Sequence, residues 1–155
     1  MADDVAQRIA AFLDAHHVIS LATVGAQGPH AANLFYAREG FALFWVSDPA
    51  SRHSVELVAD GRVAATIARD FSDFVAICGL QLAGHARRVT DDAERARARS
   101  VLEARYAFLK APADGALREN YARADIFRLD IARCVLIDNT RGFGHKDVLE
   151  LVPVR

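Results

Sequence analysis

The chain has 155 residues, 52% of them hydrophobic and 25% charged, with a formal charge of -1. That length supports one domain, residues 1–155, with a substantial core, and the near-neutral charge excludes a general nucleic-acid binder, which would be basic. No apolar run reaches the roughly 18 residues that span a bilayer, and the first residues do not read as a leader peptide, so the expectation is a soluble, cytoplasmic protein with neither a membrane nor a nucleic acid as partner.

Residues 4–15 form an amphipathic pattern, with Val5, Ile9, Phe12 and Leu13 at helical spacing. Strands are expected at 18–24, 31–37 and 41–47, separated by the turn GAQGP at 25–29 and by residues 38–40. A helix over 50–59 follows, with Asp48 as its expected N-cap and Pro49 at its first position. Next come a strand at 63–69 and a long one at 74–89, in which Gly79 and Gly84 suggest bulges or bends. Thr90 is the expected cap of a helix over 91–109, whose run DDAERARAR mixes signs and reads as a solvated face. A second helical piece lies at 114–122, then strands at 126–130 and 134–138, a loop at 139–146 and a last strand at 148–152. Strands in meander order with helices inserted among them predict an α+β protein built on an antiparallel barrel or sandwich, with peripheral helices.

The chemistry-bearing segment is FALFWVSDPASRHSVEL, residues 41–57. An apolar strand runs into a helix whose first turn carries Ser51, Arg52 and His53. The first turn of a helix has unpaired N–H groups and a partial positive charge, which suits an anion and phosphate above all. Arg52 adds a planar fork of donors, His53 a further donor and Ser51 a hydroxyl. The plainer reading is a capped surface helix with basic residues near its start. Ser51 and His53, two apart on one helix, are expected to point apart, which argues against a hydrolytic pair.

Two further segments stand out. Gln81 interrupts the apolar strand GLQLAGHARRV; its amide either faces solvent or meets the polar edge of a ligand ring. The stretch DNTRGFGHK, 138–146, is polar and glycine-rich around one aromatic, Phe143; it is a simple turn or a loop ordered by a ligand. There is no P-loop or dinucleotide-binding glycine motif, and the six histidines are not spaced as zinc ligands. Cys78 and Cys134 each lie in an apolar run and read as two buried, reduced thiols.

A strand, then SRH opening a helix, then another strand, then GLQLAGHARRV, resembles the order found in the pyridoxamine phosphate oxidase-like FMN-binding split barrels. Those flavoproteins commonly carry an SRK-like triplet and a Q-x-x-x-G strand. The ending DNTRGFGHK resembles the small bacterial YhbP-like branch. The resemblance implies a homodimer of six-stranded split barrels with FMN at the interface. By position, Arg52 and His53, beside Ser51, would hold the phosphate. Asn33, Leu34, Phe35 and Tyr36, with Trp45, Val46 and Ser47, would line the ribityl chain and ring. Gln81 would meet the isoalloxazine, and the loop bearing Phe143, His145 and Lys146 would approach it, from the same or the other subunit.

His53 stands where lysine is common, and AANLFYA carries no basic residue before Arg38, unlike the arginine-rich strand of true pyridoxamine phosphate oxidases. Vitamin B6 oxidation is therefore not the expected activity. The resemblance implies a small-molecule oxidoreductase, with NAD(P)H as the candidate electron donor. Two alternatives remain at this point: a haem-binding or haem-degrading barrel with His145 as iron ligand, and a non-catalytic flavin-binding or sensing dimer.

Overall fold

The structure, a computed structural model, describes residues 1–151. Its helices are α1 (Ala2–Ala15), α2 (Arg52–Ala59), α3 (Asp92–Arg105), α4 (Ala107–Lys110) and α5 (Gly115–Arg123). Its strands are β1 (Val18–Gly25), β2 (Gly28–Phe35), β3 (Ala37–Glu39), β4 (Ala42–Ser47), β5 (Arg62–Ala68), β6 (Cys78–Arg88), β7 (Asp125–Asp138) and β8 (Lys146–Glu150). The strands form one eight-stranded sheet in the order β2-β1-β5-β6-β7-β4-β3, with β8 also on β7. Every pairing is antiparallel. The fold is thus the expected α+β class with a curled antiparallel half-barrel.

The resemblance implied six strands; the eight found equal the number read along the sequence, with one gained and two merged into one. Arg38 and Glu39, expected in a turn at 38–40, instead form a short strand with Ala37, because Gly40 takes the reversal at a φ of 59° and lets β3 pair with β4. The expected strands at 126–130 and 134–138 are one, β7. Phe127, Leu129 and Ile131 point inward at a period of two, and then Cys134 and Leu136 do. The skipped step is a bulge opposite Ala83 and Gly84. Gly79, by contrast, sits in regular register with Ala68 and Ile137.

Other boundaries moved because a side chain caps differently. Asp91 rather than Thr90 caps α3, accepting from Glu94 N–H at 2.8 Å. Residues 74–76 form a single tight turn capped by Asp73, so β6 starts only at Cys78. Asp114 caps α5 through the N–H groups of Ala116 and Leu117. The expected last strand begins two residues early, at Lys146, and its residue Val152 lies outside the described residues.

Inside the curl, Ile19, Leu21, Trp45, Ile67, Leu80 and Phe127 pack with Ile9 and Leu13 of α1. Each such side chain contributes about 1.5–3 kcal/mol on full burial. A second cluster lies on the outer face, where Ala98, Leu102 and Tyr106 cover Ala37, Phe44 and Ile126. One carboxylate clamps this helix down: Glu94 accepts from Arg87 of β6 at 2.7 and 2.9 Å and from Arg128 of β7 at 3.0 Å. The two cysteines are free; burial raises the thiol pKa of Cys78 and pushes that of Cys134 up to about 12. Among the described residues no helix is long and apolar enough to cross a membrane.

The bulge sets a sharp requirement on Gly84. A Cβ there would fall on the Asp130 carbonyl oxygen and 2.9 Å from Leu129 Cδ1, whereas one on Gly79 would lie 3.4 Å or more from its neighbours. Gly84→Ala should therefore destabilise by roughly 1–3 kcal/mol and Gly79→Ala by far less, as urea denaturation of the two variants will measure.

Candidate functional site

A cleft of about 750 Å³ opens between the end of β2, the corner joining β4 to α2, and the segment α3–α5. It brings together Asn33, Leu34, Phe35, Val46 and Ser47, five of the residues expected from sequence. The cleft exists because β4 ends at Ser47 with an exposed corner, while Leu102 and Tyr106 hold the far wall against the sheet.

Two expected lining residues turn away. The side chains of Trp45 and Tyr36 are fully buried. Trp45 packs against Phe127 within the curl, its indole N–H without a partner, and Tyr36 donates its hydroxyl to the Leu13 carbonyl at 2.7 Å. Both belong to the core because the inward phase of β4 and the β2–β3 corner places them there. Neither residue lines the cleft.

The start of α2 also differs from expectation. Ser51 is the N-cap, and Asp48 instead closes the preceding turn by accepting from the Ala50 N–H at 2.8 Å. Because Ser51 lies just outside the helix, its side chain meets that of His53 after all: Ser51 Oγ is 3.2 Å and Ser47 Oγ 2.6 Å from His53 Nε2. Ser51 donates to the Asp48 carbonyl at 2.8 Å and its oxygen lies 2.7 Å from Ser54 Oγ, whose hydroxyl can donate to it, and no side chain caps the helix. The first helical bond runs from Val55 N–H to the Ser51 carbonyl at 3.0 Å. The N–H groups of the first turn of α2 itself, Arg52 to Ser54, are therefore left for an outside acceptor.

Arg52 lies beside this turn but outside the cleft lining. Its Nε donates to Glu56 at 2.7 Å, and Glu56 also accepts from Thr23 at 2.6 Å. The Thr23 hydroxyl, and then Arg52, hold the Glu56 carboxyl below its ordinary range. His53 is buried and stacks on His30 with ring centroids 6.5 Å apart. Burial, and then the neighbouring His30, hold its imidazole below the ordinary 6.5, with Glu56 pulling the other way.

Gln81 is exposed, opposite Thr66 and Val135 in the sheet, and does not line the cleft. Phe143 is 81% exposed and stacks on Phe74 at 5.1 Å. Its loop is held by buried Asn139, which donates to the Phe74 carbonyl at 2.8 Å and accepts from Gly144 N–H at 3.0 Å. His145 Nε2 lies 3.2 Å from Asp147, and Lys146 is the exposed first residue of β8. None of these four reaches the cleft.

The wall supplied by α3–α5 was not anticipated. Tyr106, Phe108, Leu117, Asn120 and Arg123 all line the cleft. The one available signal was the aromatic run YAFL breaking an otherwise charged helix.

The lowered pKa of His53 has a consequence for stability. As pH falls below about 6.5, the unfolded chain takes up this proton before the folded one, so stability is lost through that window down to the lower folded value. Urea denaturation should show a smaller loss between about pH 7 and pH 5 in His53→Asn than in the unmutated protein.

The family described as pyridoxamine 5'-phosphate oxidase matches residues 5–137. A UPF0306 protein of Serratia proteamaculans is 30% identical over 143 residues, covering 90% of this chain and 91% of that one. The structure of a haem-binding protein from Mycobacterium smegmatis superposes with a TM-score of 0.73 at 27% identity; it is matched over 97% of this chain, which spans only 58% of that protein. An FAD-binding protein from Mesorhizobium loti superposes with a TM-score of 0.63 at 22% identity, over 83% of this chain and 90% of that one. A curled antiparallel sheet, a helix opened by SRH and these likenesses agree: the chain belongs to the pyridoxamine 5'-phosphate oxidase family, with the UPF0306, YhbP-like proteins among its homologues.

Proposed function

We propose that the protein binds FMN in this cleft, that a homodimer completes the site, and that it acts on a small molecule as a flavin-dependent reductase or oxidase. The observation that carries the reading is the uncapped start of α2, where the only side-chain cap available, Ser51, is turned aside beside an arginine and a buried histidine. Such a turn suits a phosphate. Asn33, Leu34, Phe35, Val46 and Ser47 would then flank the rest of the cofactor. Gln81 and the Phe143–Lys146 loop lie outside the cleft of their own chain and would reach the ring only across a subunit interface. Bound FMN supplies hydride and electron transfer; the chain supplies position and electrostatics.

On this reading, Arg52→Ala weakens FMN binding by roughly 1–3 kcal/mol, the scale of a charge-assisted hydrogen bond. A dissociation constant unchanged in a fluorescence-quenching titration would remove Arg52 from the site. Stopped-flow mixing of the FMN-loaded protein with NADH or NADPH separates an enzyme from a storage or sensing dimer, since only the former is reduced.

One likeness favours a second reading, the haem-binding Mycobacterium smegmatis protein at 27% identity. His145 is the candidate ligand, half-buried at 32% side-chain exposure and facing Asp147. An absorption spectrum after adding FMN or haemin decides between the two. A flavin spectrum that survives desalting supports the first. A Soret band that His145→Ala abolishes supports the second.

A further inference from the structure

Resting on the reading that FMN sets its phosphate at α2, we propose that the opposite wall of the cleft is a subsite for a flat aromatic anion, with Arg123 of α5 meeting its charge. The aromatic part of the subsite is a corner of three rings. Phe35 packs edge-on to Tyr106 and Phe108 at centroid separations of 5.6 and 6.2 Å, and Tyr106 lies 5.6 Å from Phe108. Phe35 is 56% exposed and Phe108 46%, large apolar surface left open within a concave wall. The corner is fixed, because Tyr106 is buried and its hydroxyl donates to the Tyr36 carbonyl at 2.5 Å. Leu117 of α5 extends the apolar wall toward Asn120 and Arg123.

The charge of this wall is equally specific. Arg123 is the sole cation lining the cleft among the described residues. Among the described residues it forms no ion pair, and its guanidinium donates only to Asn120 Oδ1 at 3.2 Å. Arg52, Arg87, Arg97 and Arg128 each face a carboxylate. The one carboxylate at the cleft, Asp48, sits on the α2 side and is engaged by the Ala50 N–H. A planar ring thus finds a rigid aromatic corner, and its carboxylate, sulfonate or phosphate finds a free fork of donors. The cation at the last turn of α5 also suits the helix dipole, a role that does not depend on any ligand.

Fluorescence titration with anilinonaphthalene sulfonate, beside its uncharged counterpart phenylnaphthylamine, separates these roles. Arg123→Gln should weaken the sulfonate about tenfold, the scale of one charge-assisted hydrogen bond, and leave the uncharged probe unchanged. Phe108→Ala should weaken both. The FMN dissociation constant should be unaffected by Arg123→Gln. Equal sulfonate affinity in Arg123→Gln and the unmutated protein would overturn the subsite. So would a tenfold loss of FMN affinity in that variant, which would give Arg123 to the cofactor phosphate. Should the protein take up no FMN yet still discriminate the sulfonate through Arg123, the flavin reading falls while the anion subsite stands. If neither probe binds, and Phe108→Ala turns a dimer into a monomer by sedimentation, the corner is a contact between copies and the subsite is overturned.

Discussion

Strand β7 keeps one partner along one edge and changes partner along the other, and the rest of the fold is arranged around that change. β6 pairs with β7 from Cys78 to Arg88. On the far edge, Asp125 to Asp130 pair with β4, whereas Arg133 to Ile137 pair with β8. The exchange takes two residues: Ile131 N–H donates to the Phe41 carbonyl at 3.2 Å, and the Ala132 carbonyl accepts from Leu151 N–H at 2.8 Å. A sheet cannot pass from one neighbour to another without a local bend, and the bulge supplies it where Gly84 lets the Asp130 carbonyl come close. The sheet therefore curls, and its interior closes over Trp45 and Phe127.

The site follows from the same geometry. β6 and β7 are neighbours in the sheet, yet α3, α4 and α5 lie between them in the chain. Those helices must fold back over the outer face, where α3 finds Ala37, Phe44 and Ile126 to cover. Glu94 fixes α3 to both strands, with the Arg87 hydrogen bonds leading and Arg128 adding to them in holding its carboxyl below the ordinary range. The corner after β4 is thus left facing the C-terminal end of α3, and the cleft is the space between them.

The strands were largely legible because most expose one face and bury the other; β5 buries Val63, Ala65 and Ile67 in strict alternation. β7 was misread as two strands for the complementary reason. Its inward phase slips by one at Ala132, and a slipped phase looks like a break when the partner strand is unknown. At the site, a first-turn arginine and histidine were visible in the triplet at 51–53, but not where they point. Whether Ser51 lies inside the helix or caps it decides whether its hydroxyl meets His53, and a one-turn difference of this kind is below what residue types fix. Trp45 was placed at the ligand by its position in the family resemblance; the alternation of β4 buries it instead. The helical wall of the cleft depended on how α3–α5 fold back, a long-range consequence of the β6–β7 pairing.

The pairing of Arg52 with Glu56 bears on how the α2 turn could serve an anion. Glu56 is packed against Gly25 at the end of β1, where a Cβ would come within 2.6 Å of it, and Thr23 and Arg52 keep it ionised. An incoming phosphate therefore meets a carboxylate already in place. It need not displace it, because Glu56 takes only the Nε edge of the guanidinium, and the NH2 group has just a long contact of 3.4 Å to the Gly28 carbonyl. A guanidinium has five donors in a planar fork, enough to serve a carboxylate on one edge and an anion on another. Glu56 then acts to orient Arg52 beside the open N–H groups of α2. With His53 held toward its neutral form by burial, the positive potential at that turn comes from Arg52 and the helix start together rather than from a pair of cations.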